Sequence, residues 1–409
     1  MYNKRKIIND PVYGFIHLPF PILYDLIEHP YFQRLRRIRQ LGLTNLVYPG
    51  ANHTRFQHAL GAMHLMDEAI KTLRTKNVEI TDEEHEAALI AILLHDIGHG
   101  PFSHALENVM VENTPHENIS LAFMQQLNRE MNGKLKTAIA IFKKSYAKKF
   151  LCQLVSGQLD VDRLDYLRRD SFFTGVTEGI IGSDRIIKML HVYNDELVVE
   201  AKGIYSIEKF LLARRLMYWQ VYLHKTVISA DQLLLNILHR AKKLVRSSGV
   251  LFGTPSLLYF LRDFNVENLS QHPLSVITHY SMLDDNDIVI ALKMWRTDVD
   301  PVLSDLSARL LNRVLFRIEI RNEPFPPERI ESILKKVAFQ YHYNDDEAAC
   351  FVCSGVLSNH AYSSRTGERI LVMQDEKPVD IARVSDMGSL FEMSKAEEKF
   401  FLCYPKNLK

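Results

Sequence analysis

Residues 81–96 read TDEEHEAALIAILLHD, and no other stretch limits the fold as strongly. Thr81 followed by Glu84 is the capping-box signature of a helix start. The apolar run AALIAILL (87–94) falls well short of the roughly 20 residues that a membrane-spanning helix needs. The stretch therefore predicts an apolar helix of a globular chain, ending on His95 and Asp96 side by side. Two polar residues at that point, followed by His99 and His104 across a bend set by Gly98, Gly100 and Pro101, are seldom needed for structure alone.

Composition excludes several function classes. Hydrophobic residues make up 47% of the 409 and charged residues 24%, the range of an ordinary soluble protein of about two or three domains. Lys+Arg number 50 against 49 Asp+Glu, so bulk charge indicates neither a nucleic acid nor a membrane partner. The start, MYNKRKIINDP, has charge without a following apolar segment, and a cytoplasmic location is expected. Four cysteines (152, 350, 353, 403) are too sparse for a disulfide framework, and CFVC at 350–353 reads as structural within a strand-like run.

The fold class expected is mainly α, a helical core with a small inserted hairpin and a smaller α+β C-terminal region. In PYFQRLRRIRQLGL, residues Phe32, Leu35, Ile38 and Leu41 stand at helical spacing, with Arg34 and its fellow arginines on the other faces. From about 52 to 245 the pattern is helical, with Pro115 in TPHEN read as the first helical position. VYNDELVVEAKGIY, around 192–204, predicts a short hairpin between helices, which resume from 205 to about 320. RNEPFPPERIES (321–332) reads as a linker, and CFVCSGVLSNHAYS, RILVMQD and DIARVSD beyond it read as strands with short helices. Three segments follow: 1–50, 51–320 and 321–409.

Eight of the 17 histidines lie between positions 53 and 116, where even spacing would give about three. Imidazole is concentrated there, and the chemistry that wants imidazole beside carboxylate is metal ligation. His95 and Asp96 project from the last turn of the apolar helix, and His58 lies one helix earlier, able to approach across a helix pair. A further carboxylate comes from DVDRLDYLRRD, which supplies Asp160, Asp162, Asp165 and Asp170. Asp162, Tyr166 and Asp170, spaced i, i+4 and i+8, line one helix face.

The ordered set His58, His95-Asp96 and Asp162 resembles the HD-domain metal-dependent phosphohydrolases. Within that superfamily IINDPVYGFI, FQRLRRIRQLG, YPGANHTRFQHALG, HDIGHGPFSH, TPHEN, DVDRLDYLRRD and RRLMYWQVYLHK follow one another as in the SAM-and-HD-domain dNTP triphosphohydrolases and their bacterial relatives. The match runs over roughly residues 5–245, more weakly to about 320, and assigns nothing to the last 90 or so.

The resemblance implies hydrolysis of a deoxynucleoside triphosphate to deoxynucleoside and triphosphate. His58, His95, Asp96 and Asp162 are then the ligands of a divalent cation, with Fe, Mn, Zn, Ni and Mg not distinguished by the donor set. It makes His104 the general acid to the 5′ oxygen, Glu107 its orienting partner, and His99 and His116 the lining of the α-phosphate. Arg55, Arg163 and Arg214 take the triphosphate, Arg163 standing where lysine is commoner. Gln40 and Asp170 take the 3′-hydroxyl, while Leu41, Tyr166 and Tyr222 pack where a 2′-hydroxyl would sit.

It also implies a homo-oligomer, dimer or tetramer, activated by a guanine nucleotide. Lys6, Ile7, Asn9, Glu28, Gln33 and Arg36 match the residues that grip the activator, and Arg313 and Arg317 those reaching it from a neighbouring subunit. Arg185 and Lys202 match its partner-site phosphate contacts. Glu28 replaces the usual aspartate, and Phe15 a commoner histidine. Two other readings stay open on the residues alone: an HD phosphohydrolase of another nucleotide, such as a 5′-monophosphate, and a nucleotide- or nucleic-acid-binding regulator without turnover.

Overall fold

Ala87–Leu94 lose nearly all contact with solvent, each at 6% exposure or less, because the run is apolar around the whole helix circumference. The computed structural model describes residues 6–102, 109, 111, 114–248, 250–264, 267–359, 369–386 and 397–408. Helix Asp82–Leu94 starts on the expected capping box, with Glu84 N donating to Thr81 Oγ1 at 3.1 Å and Thr81 N to Glu84 Oε2 at 2.9 Å. Asp82, Glu83 and Glu84 in its first turn also suit the positive end of the helix dipole. It packs against helices Arg55–Thr75, Lys136–Phe142 and Lys149–Val155. Each buried Leu or Ile on it contributes about 2 kcal/mol, so the backbone that carries His95 is firmly held.

Helix Val161–Thr174 crosses Arg55–Thr75 on another side. Asp160 caps it by accepting from Arg163 N at 2.8 Å, and Gly175, at φ 75°, ends it in the left-handed conformation that glycine adopts without a Cβ clash. One apolar core runs through the chain, from Ile16 to Tyr404. No described helix is long and apolar enough to cross a membrane.

Several elements differ from expectation. PYFQRLRRIRQLGL is not one helix: it divides into helix Pro30–Gln33, a 3-10 turn Arg34–Arg37 and a second 3-10 turn Gly42–Leu46. Ile38 is extended because its carbonyl accepts from Arg55 N and Arg39 bridges Thr54. Arg34 faces inward with no exposure, contrary to its assignment to an outer face. Its Nη1 donates to Leu283 O (3.0 Å) and its Nη2 to Ile97 O (2.8 Å) and His99 O (2.9 Å). Burial lowers its pKa to about 10, which still leaves it charged at neutral pH. Pro115 sits at the N-cap, one position before helix His116–Glu130. The long helical run after 205 breaks into helix Ile204–Met217, a π turn Tyr218–Tyr222 and helix Lys225–Ser248.

Strand β1 (Ile7–Asp10) pairs antiparallel with β2 (Gly14–His17) in an N-terminal hairpin. The inserted hairpin forms as β3 (Leu190–Tyr193) and β4 (Glu196–Glu200). It is the start of a four-stranded sheet, since β4 pairs in parallel with β7 (Leu371–Gln374), which pairs with β8 (Lys377–Asp380). β5 (Arg317–Arg321), before the expected linker, joins β9 (Glu397–Tyr404) and β6 (Cys353–Asn359). Within that linker the helix Pro327–Tyr341 already begins. DIARVSD is helical over Ile381–Val384, because the Asp380 carboxylate caps the turn at Ala382 N, 2.9 Å away. All four cysteines are free thiols.

Arg34 ties the N-terminal segment to the backbone around His95-Asp96 and to Leu283. Arg34→Met should lower the unfolding free energy by about 3 kcal/mol, because three buried carbonyls lose their donor. Denaturant titration measures this directly, and an unchanged midpoint would show that the clamp is not needed.

Candidate functional site

Three helices deliver the metal-type donors. His58 lies in the first turns of Arg55–Thr75, His95 is the C-cap of Asp82–Leu94, and Asp162 is in the first turn of Val161–Thr174. His58 Nε2 is 3.0 Å from Asp162 Oδ1 and 3.7 Å from Asp96 Oδ2, while His95 Nε2 is 3.5 Å from Asp162 Oδ1 and 3.3 Å from Asp96 Oδ1. Such separations suit ligands about 2.0–2.2 Å from a single ion.

The imidazoles are oriented for that use. His58 Nδ1 meets Asp165 Oδ2 at 2.7 Å, and His95 Nδ1 meets the Ile92 carbonyl at 2.6 Å, so each Nδ1 donates and each Nε2 lone pair faces inward. Both Nε2 atoms are buried and make no hydrogen bond. Burial opposes charge on His58, but the neighbouring carboxylates of Asp162 and Asp165 outweigh it and push the ring up to about 10. Asp162 is half-buried; desolvation opposes its charge, yet the two histidines hold it well below the usual carboxylate range. The cluster demands positive charge, and a divalent cation supplies it in place of a proton. These residues fit a metal.

Asp96 belongs to two groups at once. Its carboxylate pairs with Arg55 Nη1, and its Oδ1 lies 3.3 Å from His99 Nδ1. Burial opposes its ionisation, but His95 and Arg55 keep its pKa below the ordinary value. Asp96, His99 and His116 form a second set of convergent donor atoms, with the His99 and His116 rings 3.8 Å apart. His104 and Glu107 lie outside the described residues.

Two turns further along helix Val161–Thr174 is a group of different chemistry. Asp170 is 1% exposed; its Oδ1 meets His53 Nε2 at 2.7 Å and its Oδ2 accepts from Tyr222 OH at 2.8 Å. Each carboxylate oxygen keeps a second lone pair. Tyr166 lies between Asp162 and Asp170 on the same face, its ring 6.1 Å from that of Tyr222. Burial and then Asp170 raise the Tyr222 pKa well above the usual phenol value, and burial followed by Tyr218 raises that of Tyr166. Both phenols are neutral donors. Gln40 N donates to His53 O, and its buried Oε1 has no hydrogen-bond partner; Leu41 is half-buried beside it.

Arg163 and Arg214 flank this stripe. Arg163 is paired with Asp160 and Arg214 Nη1 bonds Gln158 Oε1 at 3.2 Å, while the Nε atoms of both are buried and unbonded. The candidate regulatory residues lie outside the site. Ile7 and Asn9 are exposed on β1 and Lys6 just before it, with Lys6 Nζ 3.6 Å from the Tyr24 ring centre. Arg36 Nε bonds Gln33 Oε1 at 2.8 Å, and Glu28 is exposed at the end of helix Pro21–Glu28. Arg185 Nη2 reaches the Lys202 carbonyl at 3.1 Å; exposed Arg313 reaches Leu46 O at 2.9 Å, and Arg317 is exposed on β5.

Sequence reasoning assigned no role to His53 or Asp165. His53 is stacked on Phe173 with ring centres 4.5 Å apart, and it orients Asp170. The available signal was an extra histidine in YPGANHTRFQH. For Asp165 the signal was its place one turn beyond Asp162, toward His58. Among the buried polar atoms lacking a hydrogen bond, those of Gln40, His53, His58, His95, Arg163 and Arg214 fall in this one region. A groove of about 930 Å³ lies instead along helix Pro327–Tyr341, beside Glu331, Lys335 and Phe339, and brings together no comparable set of ligating groups among the described residues.

Known proteins resemble this chain in sequence and fold. The HD domain family model matches residues 55–169, and the HD associated region matches 181–245. An uncharacterized protein of Bacillus subtilis, YwfO, is 35% identical over 77% of this chain and 72% of its own. The deoxynucleoside triphosphate triphosphohydrolase SAMHD1 homolog of Dictyostelium discoideum is 30% identical over 60% of this chain, which spans about half (52%) of that protein. A crystal structure of a phosphohydrolase from Bacteroides thetaiotaomicron superposes with a TM-score of 0.94 at 52% identity, covering 98% of this chain and all of that one.

Asp162→Ala and Asp96→Ala should each abolish bound metal and keep the fold, since neither side chain fills the apolar core. Elemental analysis with circular dichroism checks both points. Unchanged metal content in either folded variant would move the site elsewhere.

Proposed function

The chain belongs to the HD-domain phosphohydrolases related to SAMHD1, and from that premise we propose that it hydrolyses a deoxynucleoside triphosphate to deoxynucleoside and tripolyphosphate. The observation that carries this reading is the Asp162, Tyr166 and Asp170 face. It runs about 12 Å along one helix, from a metal-type donor cluster to a buried carboxylate bonded by a neutral phenol.

Water adds to the α-phosphorus, the bond from phosphorus to the 5′ oxygen breaks, and that oxygen must gain a proton. A divalent cation held by His58, His95, Asp96 and Asp162 would acidify water and neutralise phosphate charge. His104 donates the proton to the leaving oxygen, Glu107 orients it, and His99 with His116 offsets charge on the α-phosphate. Arg55, Arg163 and Arg214 bind the remaining phosphates in the fork geometry of guanidinium. For Arg163 this means exchanging the Asp160 carboxylate for phosphate oxygen.

Asp170 and Gln40 accept and donate to the 3′-hydroxyl. Leu41, Tyr166 and Tyr222 would crowd a 2′-hydroxyl, which costs a ribonucleotide about 1–3 kcal/mol, or roughly 5- to 150-fold in rate. Chromatography of a dGTP reaction should show deoxyguanosine and intact tripolyphosphate, with ATP and GTP poor substrates and Tyr222→Ala narrowing the difference. Orthophosphate as the product would favour the reading as another nucleotide phosphohydrolase, and absence of turnover the regulator reading.

The same relationship supports nucleotide-driven assembly. Lys6, Ile7, Asn9, Glu28, Gln33 and Arg36 would grip a guanine nucleotide, with Arg313, Arg317, Arg185 and Lys202 serving its phosphates and those of a partner copy. A ligand bound only between subunits stabilises the oligomer by mass action. Sedimentation with dGTP should show a larger species, and trace dGTP should accelerate dATP hydrolysis. If neither mass nor rate responds, this site does not regulate the protein.

A further inference from the structure

The hydrogen bond from His58 to Asp165 is the inner end of a longer buried chain. Arg169, one turn beyond Asp165 and with no exposed surface, donates from Nε to Asp165 Oδ2 at 2.9 Å and from Nη2 to Asp165 Oδ1 at 3.0 Å. On its other side Nη1 donates to Asp10 Oδ2 at 2.7 Å and Nη2 reaches Asp10 Oδ1 at 3.3 Å. Asp10 in turn accepts from Val12 N (2.9 Å) and Tyr13 N (3.0 Å) in the turn of the N-terminal hairpin. A carboxylate, a guanidinium, a second carboxylate and an imidazole thus lie end to end, each charge meeting its opposite, from β1 to the donor cluster.

The fold makes room for this chain at a cost. Gly61 sits inside helix Arg55–Thr75, where glycine is roughly 0.5–1 kcal/mol less favourable than alanine. A Cβ there would lie 2.0 Å from Asp165 Oδ1 and 2.2 Å from Arg169 Nη2. The helix keeps a glycine one turn after His58, and the carboxylate and guanidinium fill the space. Carboxylates hydrogen-bonded behind a ligating histidine fix its tautomer and ring angle, and losing one typically costs about 10- to 100-fold in metal affinity.

We propose that Asp10 is a positioning residue for His58, acting through Arg169 and Asp165, so that the seating of the N-terminal hairpin sets the grip on the metal. The inference rests on the metal-centre reading above and is independent of which nucleotide is cleaved. Along β1 the residues alternate: Ile7 and Asn9 are exposed, and Asp10 turns inward to the chain. Whatever settles on the outer face of the hairpin is thereby connected to a metal ligand by hydrogen bonds alone.

The test is Mn²⁺ titration of the stripped protein, followed by electron paramagnetic resonance, with the rise in Tm on adding Mn²⁺ measured in parallel. Asp10→Asn keeps an oxygen for Val12 N and Tyr13 N while removing the charge, and should weaken Mn²⁺ binding about 3- to 10-fold; Asp165→Asn should weaken it about 10- to 100-fold. Ile16→Val loosens the same hairpin without touching the chain and should leave the affinity unchanged. Parental Mn²⁺ affinity in Asp10→Asn, or an equal loss in Ile16→Val, would overturn the proposal while leaving the metal site standing. Parental affinity in Asp162→Ala would overturn both. Should Asp165→Asn not fold, the comparison of Asp10→Asn with Ile16→Val decides alone.

Discussion

A charge without solvent has to be matched where it sits, and two arginines with no exposed surface show how this chain does so. Arg169 is enclosed by the carboxylates of Asp10 and Asp165, and Arg34 by three carbonyls from two distant segments. Breaking either set strands a charge or its partners in a low-dielectric interior, a penalty of about 3–5 kcal/mol for a buried pair. Each set therefore works as a registration device. Arg34 fixes the backbone after His95-Asp96 against the N-terminal segment, and Arg169 fixes the hairpin against the helix that carries Asp162 and Asp170.

Between these two anchors the donor cluster has little freedom. His58, His95 and Asp162 stand on three helices whose apolar faces share one core, so their separations follow from helix packing and not from a loop. The group around Asp170 shares the Asp162 helix, which fixes its distance from the cluster. The π turn Tyr218–Tyr222 supplies the remaining wall. A widened turn there shifts every later side chain around the helix axis, and a π segment placed at a site is a recurrent way to aim one residue, here Tyr222 at Asp170.

What was legible in the sequence was periodic or chemically explicit. AALIAILL and its capping box gave the central helix, VYNDELVVEAKGIY gave a hairpin, and the crowding of histidine gave the neighbourhood of the cluster. Illegible features were set by partners far away in the chain. RLRRIR has the spacing of an amphipathic helix, yet Arg55 N takes the Ile38 carbonyl and Leu283, Ile97 and His99 take Arg34. Asp165 looked like any of four aspartates until Arg169 and His58 closed on it. DIARVSD has the residues of a strand, and one side-chain cap from Asp380 was enough to coil it.

The sheet that joins β4 to β7 sets an order in time. Val198 waits for Leu371 as its parallel partner, and Arg317 waits for Tyr404. On the ribosome the helices that carry His58, His95 and Asp162 emerge well before either partner strand exists, and His58 lies nearer to Asp162 along the chain than Val198 does to Leu371. Parallel pairings over such separations close slowly because the intervening loop's entropy must be met first. During synthesis the outer edge of β4 is therefore an open row of backbone donors and acceptors, a template for another chain's strand. β7 is the cover for that edge, and a chain interrupted before Leu371 would leave the ribosome with the helices of the donor cluster assembled and an adhesive strand exposed.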